Sequence, residues 1–344
     1  MPREVLERSA VALPVLADAL RMLQADGAAP LGPEAALDLV SAAERALAAG
    51  TVSAETWHRY LDRTRRREFL LALPDAAART RWAETTFGAI RASGYSLATL
   101  LSQRVDAHPD RVFLQASPRP EAPCWTYAQT ERRLRAIAAA LVSLSEGPPR
   151  VAIVAENSLD SACCDLACLV HGIFVAPLAP HLQVSELMSV LQRLGANLVL
   201  VDTADQLAKV EAVAARLSCP VRPVLLDAAA RLKRGSAAVL GEEVGKLGPE
   251  ETDQALRALS PFGLDEAATV LFTSGSTGAQ KGFAFSPFNL LTKRFARAAA
   301  LPFVGEGEVL LCYLPLYHTF GRYLELLGTL FWGGTYVFAG NPSL

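Results

Sequence analysis

Before residue 95, apolar residues recur every three to four positions, which is the period of a helix with one buried face. Pro74 suits the first turn of a helix, and Gly94 suits a C-terminal cap, because glycine adopts the left-handed conformation there without steric cost. The pattern predicts helices at 3–24, 34–48, 54–72 and 75–93. We therefore predict an all-helical extension over residues 1–94, in which no motif points to chemistry.

From Tyr95 onward, short continuous apolar runs alternate with helical patterns. The runs predict strands at 111–116, 150–157, 172–180, 197–202, 268–275, 308–315 and 335–339, and the patterns predict helices at 96–107, 126–144, 158–171, 184–194, 286–301 and about 321–331. Strands that are apolar on both faces are typical of a parallel sheet with helices on each side. Residues 95–344 are therefore predicted to form an α/β domain with doubly wound, mostly parallel sheets. Residues 228–260, with no clear period before a short helix near 251–258, are predicted to be a mobile connection.

Composition and charge narrow the range of partners. At 344 residues and 51% hydrophobic content, the chain can build a large core, and its length suggests two or three domains. The formal net charge of −2 gives no general attraction to nucleic acid or to an anionic membrane, so no nucleic-acid partner is expected. A basic run, made of Arg63, Arg65, Arg66 and Arg67, is predicted to be a solvated helix face.

No signal peptide or membrane-spanning segment is expected from the sequence. Glu4, Glu7 and Asp18 interrupt the apolar start, which is predicted to be an amphipathic helix rather than a signal peptide. The longest weakly polar run, 326–340, is shorter than the ~20 residues of a membrane-spanning helix. Six cysteines without a secretory signal suit the reducing cytoplasm, which is the expected compartment. Peripheral contact with a membrane is left open.

The stretch LFTSGSTGAQKG, residues 271–282, follows a predicted strand and combines hydroxyl residues, glycines and one lysine. The residues are Thr273, Ser274, Gly275, Ser276, Thr277, Gly278 and Lys281. Glycine permits backbone conformations in which successive N–H groups point to one centre, so such a loop wraps an anion. The hydroxyls add donors, and the lysine supplies a point charge for a terminal phosphate. The stretch predicts a polyphosphate site.

Two common phosphate-binding patterns are absent from this stretch. The P-loop requires a second glycine before the lysine and a hydroxyl residue after it, but Gln280 and Gly282 occupy those positions. The dinucleotide fingerprint, with glycines at the first, third and sixth positions after a strand, occurs nowhere in the chain. The loop therefore belongs to another class.

TSGSTGAQKG resembles the signature of the AMP-forming acyl-adenylate ligases, the superfamily of acyl-CoA synthetases, luciferases and peptide-synthetase adenylation domains. Gln280 stands where the family usually has proline. The segments 124–144, 151–202 and 314–338 are also similar to the family, so the resemblance covers about residues 96–340. The order H-T-F-G-R-Y-L-E from His318 to Glu325 is most similar to long-chain fatty acyl-CoA ligases.

The resemblance implies a two-step reaction. A carboxylic acid, expected to be a fatty acid, attacks the α-phosphate of ATP to give acyl-AMP and pyrophosphate, and coenzyme A then takes the acyl group. The residues implied at the ATP phosphates are Thr273, Ser274, Gly275, Ser276, Thr277, Gly278 and Lys281. Thr273 is implied to lie beside Mg²⁺, and the implied catalytic residues are Lys281, at the phosphates, and His318, beside the substrate carboxylate. The remaining histidines, His181 among them, are predicted to be structural.

The family's later motifs, an aromatic-Gly-x-Thr-Glu segment, a ribose-binding Asp and a C-terminal Lys, are not found in the 344 residues. The expectation is therefore the N-terminal part of a ligase, holding ATP mainly by its phosphates and poorly active alone. One alternative is a non-catalytic remnant or a split subunit that acts through a complementary C-terminal chain. Another is an unrelated phosphate-binding NTPase, which would release inorganic phosphate rather than pyrophosphate. Acyl chain length, the acceptor thiol, the role of residues 1–94 and the oligomeric state are left open.

Overall fold

The computed structural model describes residues 31–50, 52–226, 237–274 and 280–339. The predicted helix at 3–24 and the loop residues 275–278 lie outside the described residues. The chain divides into two compact units. The first takes the described residues up to Gln103 with Phe288–Glu308 and Leu330–Gly334, and the second takes Arg104–Pro287, Val309–Thr329 and the residues from Thr335. The predicted domain division after residue 94 stays a prediction.

Most helices lie close to the positions that the pattern predicts, but α9 and α10 were not predicted. They are α1 Pro33–Ala49, α2 Ala54–Thr64, α3 Arg67–Ala72, α4 Ala76–Ser93, α5 Leu97–Ala107, α6 Tyr127–Leu144, α7 Leu159–His171, α8 Val184–Leu194, α9 Ala204–Ala214, α10 Leu240–Gly245, α11 Pro249–Arg257, α12 Pro287–Ala300 and α13 Leu327–Trp332, with a π-helical segment at Phe320–Leu326. Gly94 caps α4 in the left-handed conformation, with φ 64°. Within the described part of the chain, no helix is both long enough and apolar enough to cross a bilayer.

In the first unit, the predicted helix at 54–72 is broken into α2 and α3 at Arg65 and Arg66. Arg65 is 1% exposed, so the predicted solvated face is wrong for this residue. Its guanidinium donates to the carbonyl of Phe331 at 2.8 Å and to the carboxylate of Glu306 at 3.1 Å. The reason is tertiary: the carbonyl of Phe331 and the carboxylates of Asp62 and Glu306 satisfy the buried cation.

Aromatic rings form the middle of this first unit. The ring of Phe295 on α12 lies 5.9 Å from Trp82, 6.3 Å from Tyr95 and 5.0 Å from Phe331 between centroids. Arg79 on α4 donates to the carbonyl of Ala299 at 3.2 Å. The helices that precede residue 95 therefore share one core with α12.

The second unit contains two sheets. Their strands are β1 Val112–Gln115, β2 Cys124–Thr126, β3 Arg150–Val154, β4 Phe174–Leu178, β5 Leu198–Val201, β6 Arg222–Leu225, β7 Ala238–Val239, β8 Thr269–Ser274, β9 Gln280–Phe285, β10 Val309–Cys312 and β11 Thr335–Phe338. The larger sheet has the order β7-β6-β5-β3-β4-β8-β9, and its pairings are parallel except for β8 with β9. The smaller has the order β10-β11-β1-β2. The predicted α/β fold with mostly parallel sheets is confirmed.

The parallel strands at the centre are buried along their length. Every residue of β4 and β5 is buried, because helices cover both faces of the sheet. The predicted mobile connection at 228–260 is wrong for its described residues, 237–260, which form β7, α10 and α11. Ala238 pairs with Val224 of β6, and Asp253 on α11 accepts from Arg135 at 2.7 Å. β7 and α10, which the pattern did not predict, contact the sheet and α6, whereas α11 corresponds to the helix predicted near 251–258.

Candidate active site

A hairpin of β8 and β9 frames the predicted phosphate loop. The antiparallel register runs from Thr269 opposite Phe285 to Ser274 opposite Gln280. The sequence between Ser274 and Gln280 is the glycine-rich part of the loop, and it lies outside the described residues. The residues on either side of it, Ser274 and Gln280, are therefore held next to each other at the ends of two paired strands. The sequence pattern did not predict β9.

Gly282 on β9 leaves room for side chains of β8. A Cβ atom at this position would lie 3.1 Å from both Cε1 of Phe272 and Cγ1 of Val270, so a glycine lets the Phe272 ring lie across β9. Arg193 on α8 donates to the carbonyl of Gln280 at 2.7 Å, and its guanidinium lies 5.5 Å from the centroid of the Phe272 ring. The start of β9 is thus held by α8.

Gln280, the departure from the family pattern, has a contact of its own. Its Nε2 donates to Oε1 of Glu186 on α8 at 3.4 Å. The other carboxylate oxygen of Glu186 accepts from the backbone N–H of Gln183 at 2.9 Å, at the N-terminus of α8. The Gln280 side chain, which stands where the family usually has proline, therefore links the hairpin to the capped N-terminus of α8.

A cavity of about 290 Å³ lies at the carboxyl ends of β4 and β8. This is the edge of a parallel sheet at which α/β proteins bind ligands. Its lining comes from the ends of both strands, the start of β9 and the segment before the π-helical turn: Pro177, Leu178, Ala179, His181, Leu182, Phe272, Thr273, Gln280, Tyr317 and His318. The wall is thus largely apolar with a few polar groups, as in small-molecule sites.

The cavity brings together two of the predicted site residues that the structure describes. Thr273 and His318 both line it, although they are distant in sequence. Lys281 does not line it, but it is exposed and pairs directly with Thr273 across the hairpin. Residues directly opposite in an antiparallel pair place their side chains on the same face, so Lys281 lies on the Thr273 side of the sheet. The roles of these three residues remain predictions.

His181 and Tyr317 also line the cavity, and sequence reasoning did not assign either residue to a site. Their rings meet edge to face, with centroids 6.2 Å apart. Burial, and then the negative charge of Glu156, raises the pKa of the Tyr317 phenol. The position of His181 just after the carboxyl end of β4 was a usable signal, because ligands gather at such ends. Tyr317 precedes His318, and only the folded loop shows that both reach the cavity.

A buried ion pair anchors the segment that follows His318. Arg322 donates from Nε to Oδ2 of Asp165 on α7 at 2.8 Å and from Nη2 to Oδ1 at 2.5 Å. Its Nη1 donates to Oγ1 of Thr269, the first residue of β8, at 2.5 Å. The side chains of Arg322 and Asp165 are 0% and 1% exposed. The π-helical segment is therefore tied to β8, the strand that carries Thr273.

The described residues supply few metal ligands. Among them, no three His, Cys, Asp or Glu side chains cluster closely enough to hold an ion. Mg²⁺ in nucleotide sites takes most of its oxygens from phosphates and water, so a single hydroxyl ligand is compatible with it. The Thr273 hydroxyl at the cavity fits that role, while the other ligands would come from the substrate.

Known proteins resemble this chain over most of its α/β part. The family model described as AMP-binding enzyme matches residues 101–344. The long-chain-fatty-acid–CoA ligase FadD15 of Mycobacterium bovis is 30% identical over 205 residues, 58% of this chain and 33% of that protein. The long-chain-fatty-acid–CoA ligase 1 of Saccharomyces cerevisiae is 33% identical over 104 residues, 30% of this chain and 14% of that protein. The chain thus spans a third or less of the length of these relatives.

Solved structures share the fold. ATP-bound MatB from Rhodopseudomonas palustris superposes with a TM-score of 0.57 at 23% identity, over 71% of this chain and 45% of that one. The anthranilate CoA ligase AuaEII, solved in complex with anthranoyl-AMP, gives a TM-score of 0.62 at 14% identity, over 72% of this chain and 45% of that one. At these identities the likeness concerns the fold alone.

Proposed function

The chain belongs to the family of AMP-binding enzymes, and from this premise we propose that residues 101–344 carry part of the site that activates a carboxylic acid with ATP. In the first step, a carboxylate oxygen attacks the α-phosphorus, the bond to the β-phosphate breaks, and pyrophosphate leaves. In the second step, the thiol of coenzyme A attacks the acyl carbonyl, and AMP leaves. The proposed acid is a fatty acid, as in the names of the bacterial and yeast relatives.

One observation carries this proposal: Thr273 and His318 line the same cavity at the carboxyl ends of β4 and β8. The first belongs to the phosphate loop, and the second belongs to segment 314–338, which resembles the segment that lines the acyl pocket in the family. The reaction requires the phosphate and the carboxylate to meet within a few ångströms, and a shared cavity satisfies this requirement. A volume of about 290 Å³ is at the lower end of ligand pockets, ~300–1,000 Å³, so the cavity suits the reacting ends of the substrates.

The hairpin would act by electrostatic stabilisation. Charge builds up on the departing pyrophosphate, and donors fixed in advance stabilise it without reorganising. Lys281 supplies a positive charge next to the loop, and Thr273 supplies a hydroxyl at the cavity. Mg²⁺, when bound to the phosphates, would neutralise further charge there. The glycine-rich residues 275–278 are proposed to donate backbone N–H groups to the same phosphates.

His318 would orient the acid. Its Nδ1 accepts a hydrogen bond from the backbone N–H of Phe320 at 3.4 Å. A neutral imidazole whose Nδ1 accepts carries its proton on Nε2, so Nε2 is a donor. Directed at a carboxylate oxygen, this donor would hold the acid while the other oxygen attacks phosphorus. His318 is exposed at the cavity, so a substrate can reach it.

Titration calorimetry of the 344-residue chain with ATP and Mg²⁺ tests the phosphate part of the proposal. Thr273→Val and Lys281→Gln should each weaken ATP binding about 10-fold or more, because charge-assisted hydrogen bonds contribute ~1.5–3 kcal/mol. Thr292→Val on α12 and Lys246→Gln after α10 are matched controls outside the cavity and should bind as the wild type does. ATP binding that neither hairpin variant weakens would contradict the proposal.

The products decide between the reaction classes. Incubation with ATP, Mg²⁺ and a panel of fatty acids should yield AMP and pyrophosphate at a low rate, in amounts that depend on the acid. His318→Ala should reduce this yield without weakening ATP binding, because it is proposed to contact the acid. ADP and inorganic phosphate, formed without any dependence on an acid, would instead support the unrelated NTPase.

A further inference from the structure

The loop that carries Tyr317 and His318 is held by one side chain from the segment after β3. Asn157 lies just after β3, at the carboxyl end of the large sheet. Its Nδ2 donates to the carbonyl of Leu314 at 2.8 Å, and its Oδ1 accepts from the backbone N–H of Leu316 at 2.9 Å. The side-chain amide of Asn157 therefore donates one hydrogen bond to the loop backbone and accepts another from it.

The clamped backbone has little room to relax. A Cβ atom at Gly321 would overlap the carbonyl oxygens of Leu314 and Pro315, so the π-helical segment packs directly against the loop. The backbone N–H of His318 donates to the carbonyl of Pro315 at 2.9 Å. The Asn157 amide on one side and the Gly321 backbone on the other thus define where the loop lies.

We propose that Asn157 is a positioning residue that sets the place of Tyr317 and His318 in the cavity. It does not line the cavity and acts through its hydrogen bonds to Leu314 and Leu316. Without the clamp, the segment before His318 loses both of its hydrogen bonds to the Asn157 amide. The geometric part of this proposal stands on the contacts alone, and its consequence for acid binding rests on the function proposed above.

The chain offers a matched control in Asn197, which makes the same type of clamp at the opposite end of the sheet. Its Oδ1 accepts from the backbone N–H of Arg150 at 2.8 Å, and its Nδ2 donates to the carbonyl of Pro148 at 3.1 Å. Both asparagines are half-buried. Asn197 Nδ2 also donates to Oγ of Ser145 at 2.9 Å, so substitution of Asn197 removes at least as many hydrogen bonds as substitution of Asn157. Of the two, Asn157 is the one bonded to the loop that carries His318.

The experiment compares Asn157→Asp, Asn157→Ala and Asn197→Asp in the full chain. Asn157→Asp turns the donor to Leu314 into an acceptor with almost no change of shape, and the neutral Asn157→Ala separates loss of the clamp from added charge. Imidazole NMR, assigned with His318→Gln, reports the ring of His318. Titration with dodecanoate reports acid binding. Both Asn157 variants should move the His318 resonances and weaken dodecanoate binding about 10-fold, while Asn197→Asp should do neither.

Hydrogen exchange of the wild-type chain gives a measurement that requires no variant. The Leu316 amide should be protected, because it donates to Asn157. An unprotected Leu316 amide would overturn the proposal, even if the Asn157 variants do not fold. Folded Asn157 variants with wild-type His318 resonances, or an equal change in Asn197→Asp, would overturn it too. A third outcome separates the two proposals. If the wild type does not bind dodecanoate but the His318 resonances move only in the Asn157 variants, the assignment of an acid substrate is overturned and the positioning role is supported.

Discussion

The replacement of Asp165 by alanine tests how the π-helical segment is held. Asp165 accepts two hydrogen bonds from Arg322, at 2.8 and 2.5 Å, and both side chains are almost completely removed from solvent. In Asp165→Ala, the guanidinium keeps its bond to Thr269 but loses its counter-charge. The variant therefore buries an uncompensated cation between α7 and β8.

The expected loss follows from the burial of the pair. Removal of one partner from a buried ion pair costs ~3–5 kcal/mol, because the remaining charge is desolvated without compensation. That is a large share of the ~5–15 kcal/mol by which folded domains are stable. With a urea slope of ~3 kcal/mol per M, the unfolding midpoint should fall by about 1–2 M.

Urea unfolding followed by far-UV circular dichroism measures the loss. The control is the double variant Asp165→Leu with Arg322→Met, which removes both charges and fills the space with apolar atoms. Replacement of a whole buried pair by apolar residues is often neutral or stabilising, so the double variant should recover most of the loss. A midpoint of Asp165→Ala within about 0.2 M of the wild type, or a double variant that is less stable than the single one, would refute this reasoning.

Three other predictions concern stability and solubility. Gly321→Ala should lose ~1–3 kcal/mol in urea unfolding, because its Cβ would overlap two carbonyl oxygens, whereas Gly245→Ala, with open space around it, should not. Burial, and then the charge of Arg135, lowers the pKa of His171 to about 4. Below pH ~6.5 the unfolded state therefore binds more protons than the folded state, and the free energy of unfolding should fall by up to about 3 kcal/mol as the pH drops from ~6.5 to ~4. If His171→Gln kept the pH dependence of the wild type, this prediction would be contradicted. Deletion of residues 1–94 should give an aggregated product, because it removes Trp82 and Arg65 from around Phe295 and Phe331; a soluble, folded 95–344 chain in size-exclusion chromatography would count against it.

Local patterns predicted the strands and helices whose buried positions follow a continuous apolar run or a regular helical period. The strand β5 is a continuous apolar run, and the helix predicted at 184–194 corresponds to α8 residue for residue. The pattern missed β9, because a segment with Gly282 becomes a strand only through pairing with β8. It also missed the break between α2 and α3, because a run of arginines indicates solvent and two acceptors of Arg65, Phe331 and Glu306, are distant in sequence.

The candidate site was only partly visible in the sequence. Thr273 and His318 follow from motifs in the chain, and the structure places both at one cavity. His181 and Tyr317 carry no motif, and they become neighbours only when the segment after β4 meets the segment before the π-helical turn. Asn157 is 157 residues from the carbonyl that it contacts, so no local pattern could relate them.

The central claim is that the hairpin of β8 and β9 and the segment at His318 form one site for ATP and an acid. Its most direct test is a crystal structure of the chain with ATP and Mg²⁺. The account predicts the β- and γ-phosphates at the 273–281 loop, with Thr273 and Lys281 within hydrogen-bonding distance and the α-phosphate facing the His318 cavity. A triphosphate bound elsewhere on the chain would contradict the account.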